Sequence, residues 1–357
     1  MSSMSKERAL ELLLSLLNAE SEPQMSKEPV LEVVAPILED MGLEVHRHEN
    51  QGNPALFANK GQPKVLLSGH LDTVVRGEGW TRGQGEVDGD IVYGRGALDM
   101  KGPCVSLLLA AERLSSEGVG LAIVLTTDEE VGMMGAKEVV ANHPEIADIP
   151  LILVCEPTAF KPAVEEKGIT QLRVRVRGRS AHASMPELGD NAVEGLLRRL
   201  QNLMASERFG TDGQAPMTAS IDKINGGVLI NVIPDSATAE IDIRFSADHT
   251  NQEVLGIVND LLGTADGRAE VEVLHQLPPV RTGIRADLMA SIEEYLGAKH
   301  YSVPYGTEMV RFAELNPNIF ILGPGVVEVA HKLDEWIDIN EVLKGAQVFY
   351  DIGKMVS

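Results

Sequence analysis

Short, densely apolar runs bounded by turn residues recur along this chain at residues 65–67, 91–93, 121–125 and 151–154, and helical stretches lie between them at 103–114 and 136–142. Strands that read as continuous apolar runs are buried on both faces, and buried strands alternating with helices build a mostly parallel sheet covered by helices. The spacing predicts an α/β domain with a mostly parallel mixed sheet flanked by helices. An amphipathic helix opens it, because Leu10, Leu13, Leu14 and Leu17 recur at helical spacing.

The texture changes at Gln171. Leu172, Val174 and Val176 alternate with Arg173, Arg175 and Arg177, the period-two pattern of a sheet with one wet face. A helix over 191–205, alternating segments at 219–224 and 237–245, a helix over 252–262 and a strand over 269–274 complete an α+β unit. Buried-strand texture then returns at 318–322, and a helix over 340–355 follows. Residues 171–285 therefore read as an α+β unit inserted into a domain made of residues 1–170 plus 286–357.

Composition excludes several classes. With 44% hydrophobic and 24% charged residues, the 357-residue chain is globular rather than disordered or fibrous. A net charge of -22 repels phosphate backbones and anionic lipid, so no nucleic-acid or membrane partner is expected. No stretch approaches the ~18 uncharged apolar residues of a membrane span, and no targeting segment is read, which predicts a cytoplasmic protein. Cys104 and Cys155 lie in apolar runs and read as small buried hydrophobes without a disulfide or a nucleophilic role.

Parallel strands present ligands at their carboxyl ends. After the run at 65–67 come His70 and Asp72; after 91–93, Asp99; after 121–125, Asp128, Glu129 and Glu130; after 151–154, Glu156; after 318–325, His331. Any one of these has an ordinary explanation, but five in succession make the ligand set of zinc or another divalent transition metal. Adjacent carboxylates on extended backbone point to opposite sides, so of Glu129 and Glu130 one is expected to be a ligand and the other a base. Gly94 and Gly96 lack the third glycine of a dinucleotide fingerprint, and Lys101 precedes Gly102, the wrong order for a phosphate loop. The histidines away from strand ends, His46, His48, His143, His249, His275 and His300, read as structural.

These motifs resemble the M20-type metallopeptidase and deacylase family, which includes acetylornithine deacetylase, succinyl-diaminopimelate desuccinylase, aminoacylase and several di- and carboxypeptidases. Ser68-Gly-His-Leu-Asp-Thr-Val74, Gly94-Arg-Gly-Ala-Leu-Asp-Met-Lys-Gly102 and Asp128-Glu-Glu-Val-Gly132 are similar to its three metal motifs. Gly178-Arg-Ser-Ala-His-Ala-Ser-Met-Pro186, Gly226-Gly227, Asn231 and Asp242-Ile-Arg244 resemble its lid and dimerisation domain. Gly306-Thr-Glu308, Gly323-Pro-Gly325, Ala330-His331 and Glu335 match its closing stretch, most closely in the acetylornithine deacetylase branch.

The resemblance implies two divalent metal ions, usually Zn2+ with Co2+ as an alternative. Asp99 would bridge them, His70 and Glu156 would hold one, and Glu130 and His331 the other. Asp72 would orient His70, Glu129 would be the general base, and the Asp99–Met100 peptide bond would be cis. Three carboxylate ligands against four positive charges leave the pair about one unit positive, enough to generate hydroxide near neutral pH. His182 would donate to the developing oxyanion. Arg244 and Asn231 would clamp the substrate, and Glu308, where relatives commonly carry Asp, would pair with a substrate ammonium. The implied activity is hydrolysis of linear amide bonds by a homodimer joined through the lid. The implied partner is a small N-acyl amino acid or short peptide, acetylornithine first. N-succinyl-diaminopimelate, a carrier-linked acyl-lysine and a dipeptide are the alternatives, and a non-enzymatic binding protein is the reading from another class.

Overall fold

In a computed structural model that describes residues 4–357, the chain separates into two compact units. One runs to Val164 and takes in Thr282–Tyr301 and Thr307–Ser357; the other comprises Glu165–Arg281 and Ser302–Gly306. The short return of residues 302–306 to the second unit carries no sequence signal.

The first unit is built on a sheet whose middle strands are Leu121–Thr126, Val65–His70, Leu151–Val154 and Ile319–Ile321, in that spatial order. All four are parallel, with Val65 opposite both Leu121 and Leu151, and Ile152 opposite Ile319. Every residue of these strands is buried, which is why they read as unbroken apolar runs. Helices Lys6–Asn18, Gly102–Ser116 and Ile339–Met355 supply Leu13, Leu17, Leu107, Leu114 and Phe349 to the core, each fully buried. Ser5 caps the first helix through the Arg8 N–H, and Pro103 sits in the first turn of the second, where a missing N–H costs nothing.

Three features of this unit differ from the sequence reading. The run Ile91–Tyr93 is not in the main sheet; it is the middle of a small antiparallel sheet with Glu86–Asp88 and Trp336–Asp338. A turn through Gly89 (φ 64°) folds it back on its neighbour rather than through a crossover helix. Helix Glu28–Asp40 and the hairpin Glu44–Asn50/Asn53–Lys60 also escaped the pattern. The first strand of that hairpin is an edge of mostly polar residues, and its turn is made by Gln51 and Gly52, both at positive φ. His143, stacked 3.9 Å from Phe57, and His48, whose Nε2 lies 2.8 Å from that of His143, pack on this hairpin.

The second unit is a four-stranded antiparallel sheet in the order Met217–Gly226, Ser236–Phe245, Gly168–Arg177, Ala269–Leu277. Leu172, Val174 and Val176 face helices Ala192–Met204 and Asn251–Leu262 in a core of their own. On the wet face Arg173 pairs with Glu240 and Glu272 across the strands, and Arg177 with Glu270. Asn191 caps the first helix, and Thr250 with Glu253 forms a capping box on the second. No helix among the described residues is long and apolar enough to cross a membrane.

Candidate metal centre

Because the four central strands run parallel, their carboxyl ends lie along one edge and bring distant residues together. His70 ends Val65–His70, and its Nε2 lies 3.2 Å from Asp99 Oδ1 and 3.8 Å from Glu156 Oε1. The other oxygen of Asp99, Oδ2, lies 3.2 Å from His331 Nε2, which is 3.0 Å from Glu130 Oε1. Each oxygen of one carboxylate thus faces a different imidazole, as a bridging ligand requires. Asp99 sits in the irregular helical turn Ala97–Lys101, and the Asp99–Met100 peptide bond is cis.

Among the described residues, three groups place one ligand atom per residue within 4.8 Å of the others: His70/Asp99/Glu156, His70/Glu129/Glu130 and Asp99/Glu130/His331. Neutral imidazole and carboxylate donors in this mixture fit a divalent transition metal. The charges are unbalanced without one. Burial and the charges of Asp99, Glu130 and Glu308 push the Glu156 carboxyl up to about 8. Glu129 is likewise raised well above the ordinary carboxylate range by burial and by Glu156 and Glu130. Burial disfavours charge on His70, yet hydrogen bonds to Asp72 and Asp99 hold its pKa well above normal. His331, half exposed, is pushed up to about 10 by Asp99 and Glu130. Asp99 is held below the usual range by those same two imidazoles, against its own burial. These opposed shifts come from carboxylates and imidazoles crowded around one point, the donor set that a divalent cation would satisfy.

Asp72 holds the centre together, though not as its sequence position suggests. The nearest acceptor for His70 Nδ1 is the main-chain oxygen of Asp72 at 3.0 Å, with the carboxylate Oδ1 farther away at 3.4 Å. Either acceptor leaves the Nε2 lone pair aimed at the site. The carboxylate itself accepts the main-chain N–H groups of Glu129 (Oδ1, 3.2 Å) and Glu130 (Oδ2, 3.1 Å). Those two glutamates lie in a single 3₁₀ turn, Glu129–Val131, and not on extended backbone. They are distinguished instead by their partners, since Glu130 alone of the two reaches His331. Behind them Asp128 accepts the N–H groups of Met134 and Gly135, which fixes the start of helix Met134–Asn142. Gly323 is required by packing: a Cβ there would stand 2.5 Å from the carbonyl oxygen of Glu156.

The remaining candidates are placed differently. Glu308 is 1% exposed, with Ser68 donating to its Oε2 at 3.3 Å, and burial pushes its carboxyl up to about 8. In that position Glu308 is bonded to the strand that carries His70. In the second unit, Ala183 N–H donates to Asn231 main-chain oxygen at 2.9 Å and His182 bridges Val232, so His182 and Asn231 lie on paired, exposed segments. Arg244 is bound within its own strand, its Nε 2.6 Å from Asp242 Oδ1. Two residues with contacts at the centre had no assigned role in the sequence, Asp128 and Glu335. For Glu335 the only signal was its place in the closing motif.

The sequence model of peptidase family M20/M25/M40 matches residues 66–354. The chain belongs to this family. An acetylornithine deacetylase from Proteus mirabilis (strain HI4320) is 32% identical over 348 residues, covering 91% of this M20 chain and 89% of its relative. Among solved structures, a Staphylococcus aureus tripeptidase superposes with a TM-score of 0.81 at 21% identity, covering 98% of this chain and 99% of that one. A dinuclear metal-binding peptidase of the M20 family from Bacillus subtilis superposes with a TM-score of 0.74 at 16% identity, over 99% of both chains. As an M20 enzyme, the protein is a metal-dependent hydrolase of linear amide bonds.

Proposed function

We propose that this enzyme removes the acyl group from an N-acyl amino acid of the acetylornithine type, using two divalent metal ions, zinc or cobalt. The observation that carries the two-ion reading is the Asp99 carboxylate, whose two oxygens face His70 and His331 separately. His70 and Glu156 would hold one ion, and Glu130 and His331 the other. The substrate class is supported by the deacetylase relative, 32% identical over most of both chains.

Bound metal would supply Lewis acidity for the acyl carbonyl and lower the pKa of the attacking water. The chain supplies the proton handling. Glu129, whose N–H is anchored by Asp72, would take a proton from that water and deliver it to the departing amine nitrogen. Its raised proton affinity suits both halves of that transfer. His182 would donate to the oxyanion, with Asn231 beside it on the paired segment. Arg244 would exchange one of its bonds to Asp242 for the substrate carboxylate. A homodimer joined through the second unit is supported by Val228, Leu229 and Ile230, which are 91%, 63% and 103% exposed.

Released amine measured with N-acetylornithine, N-succinyl-diaminopimelate, Nε-acyl-lysine and a dipeptide tests the reading. N-acetylornithine is expected to give the highest kcat/KM. Glu129→Gln is expected to keep its metal and lose about 10²–10⁴-fold in kcat. Cleavage of the dipeptide alone would replace the deacylase reading with a peptidase one.

A further inference from the structure

We propose that Glu335 is a positioning residue for the metal centre, clamping the main chain at Leu98 and Asp99 and thereby setting where the Asp99 carboxylate stands. The inference rests on reading Asp99 as the ligand shared by two metal ions. Glu335 is fully buried. Its Oε1 accepts two consecutive N–H groups, from Leu98 at 2.9 Å and Asp99 at 3.1 Å. Hydrogen bonds from a main-chain N–H to a carboxylate are charge-assisted and roughly twice as strong as neutral ones. Its Oε2 takes the Arg95 guanidinium, so a further carboxylate is introduced behind Asp99 with its charge already matched.

Glu335 also couples the two halves of the centre. It follows His331 by four positions, and its main-chain oxygen accepts the Gly94 N–H at 2.9 Å. Its neighbour Asp334 accepts from Thr81 N–H at 2.8 Å, Arg82 N–H at 3.0 Å and the Thr81 hydroxyl at 2.6 Å. The segment that carries His331 is therefore bonded at Glu335 to the segment that carries Asp99, and at Asp334 to the turn at Thr81 and Arg82. His331 and Asp334 both adopt positive φ, 61° and 54°, a conformation uncommon for residues with a Cβ. A bridging ligand must satisfy two ions at once. Moving its backbone by a fraction of an ångström would misplace both oxygens together.

The test separates reach from charge. Glu335→Asp keeps the charge and a partner for Arg95 but withdraws the acceptor from the two N–H groups. The double variant E335Q/R95M removes the ion pair and keeps an amide oxygen at the original reach. Each chain is stripped with a chelator and titrated with Zn2+ alone against a chromophoric competitor, with thermal unfolding followed in parallel. Glu335→Asp is expected to lose about 10–100-fold in Zn2+ affinity. When saturated with Zn2+ it is expected to show a lowered kcat with unchanged KM, while E335Q/R95M, which keeps an acceptor at the original reach, loses less Zn2+ affinity than Glu335→Asp. Glu335→Asp binding Zn2+ like the wild type, losing only thermal stability, or losing no more than the double variant would each overturn the proposal. Wild type and Asp99→Asn are the controls for the reading beneath it. If wild type takes up no Zn2+, or Asp99→Asn binds it equally well, the two-metal reading has failed whatever Glu335 does.

Discussion

At the scale of single residues, the centre is an arrangement of acceptors around main-chain N–H groups as much as of ligands around an ion. Asp72 spends its carboxylate on Glu129 and Glu130 and its main-chain oxygen on His70, so it orients three functional side chains at once. Asp72→Asn keeps one acceptor oxygen and turns an amide donor toward the other N–H, leaving that group unsatisfied in a buried site. A fall of about 10–100-fold in Zn2+ affinity is expected, read by competition with a chromophoric chelator; unchanged affinity would mean that Asp72 is dispensable. The proton affinities give a second expectation. In the metal-free chain His331, pushed to about 10, and Glu156, to about 8, both carry protons at pH 7, and a metal must displace them. Zn2+ binding should release protons and tighten as pH rises from 6 to 8, measured by titration calorimetry in buffers of different ionisation enthalpy. Binding that is independent of buffer and pH would contradict this assignment.

At the scale of elements, what was legible in the sequence followed from burial. The four parallel strands read as apolar runs because both of their faces are covered, and the strands of the second unit read as alternation because only one is. The hairpin Glu44–Asn50/Asn53–Lys60 was missed because its edge strand is largely polar, and Ile91–Tyr93 was misplaced because a three-residue run cannot distinguish a central strand from a small separate sheet. The cluster of His70, Asp99, Glu130, Glu156 and His331 was legible because strand ends concentrate such residues. The hydrogen bonds of Glu308 and Glu335 were not, because nothing in sequence marks which partners a buried carboxylate accepts from. Helix Ala286–Leu296 shows such a carboxylate in a structural role. Glu293 accepts from Lys299 Nζ at 2.7 Å, His300 N–H at 3.0 Å and His300 Nδ1 at 2.6 Å, and these partners pull its pKa down to about 2. A carboxyl depressed on folding stabilises the folded state above its ordinary value of 4.5, and the contribution is lost as pH falls toward about 2. Glu293→Gln should therefore lower the unfolding temperature at pH 7, and the difference from wild type should shrink between pH 5 and pH 3. A difference independent of pH would mean that the charge is not what matters.

For the whole molecule, the centre ties metal occupancy to stability, since its ligands come from segments as far apart in the chain as His70 and His331. An ion bound only by the folded state adds about 2.7 kcal/mol at a concentration one hundred times its Kd. Stripping the metal with a chelator should lower the unfolding temperature, and Zn2+ should restore it; no shift in either direction would indicate that no ion is bound. For the proposed homodimer, charged substitutions at two exposed apolar positions, Val228→Asp with Ile230→Asp, should leave a monomer in light scattering. A dimer that survives both would place the interface elsewhere.

Where the ions sit is read directly by anomalous diffraction at the zinc edge from a crystal of the Zn2+-loaded protein. Two peaks about 3.5–4 Å apart are expected, one against His70 and Glu156, the other against Glu130 and His331, both in contact with Asp99. A crystal with no peak between His70 and His331, or with zinc bound only at other residues, would contradict the two-metal reading.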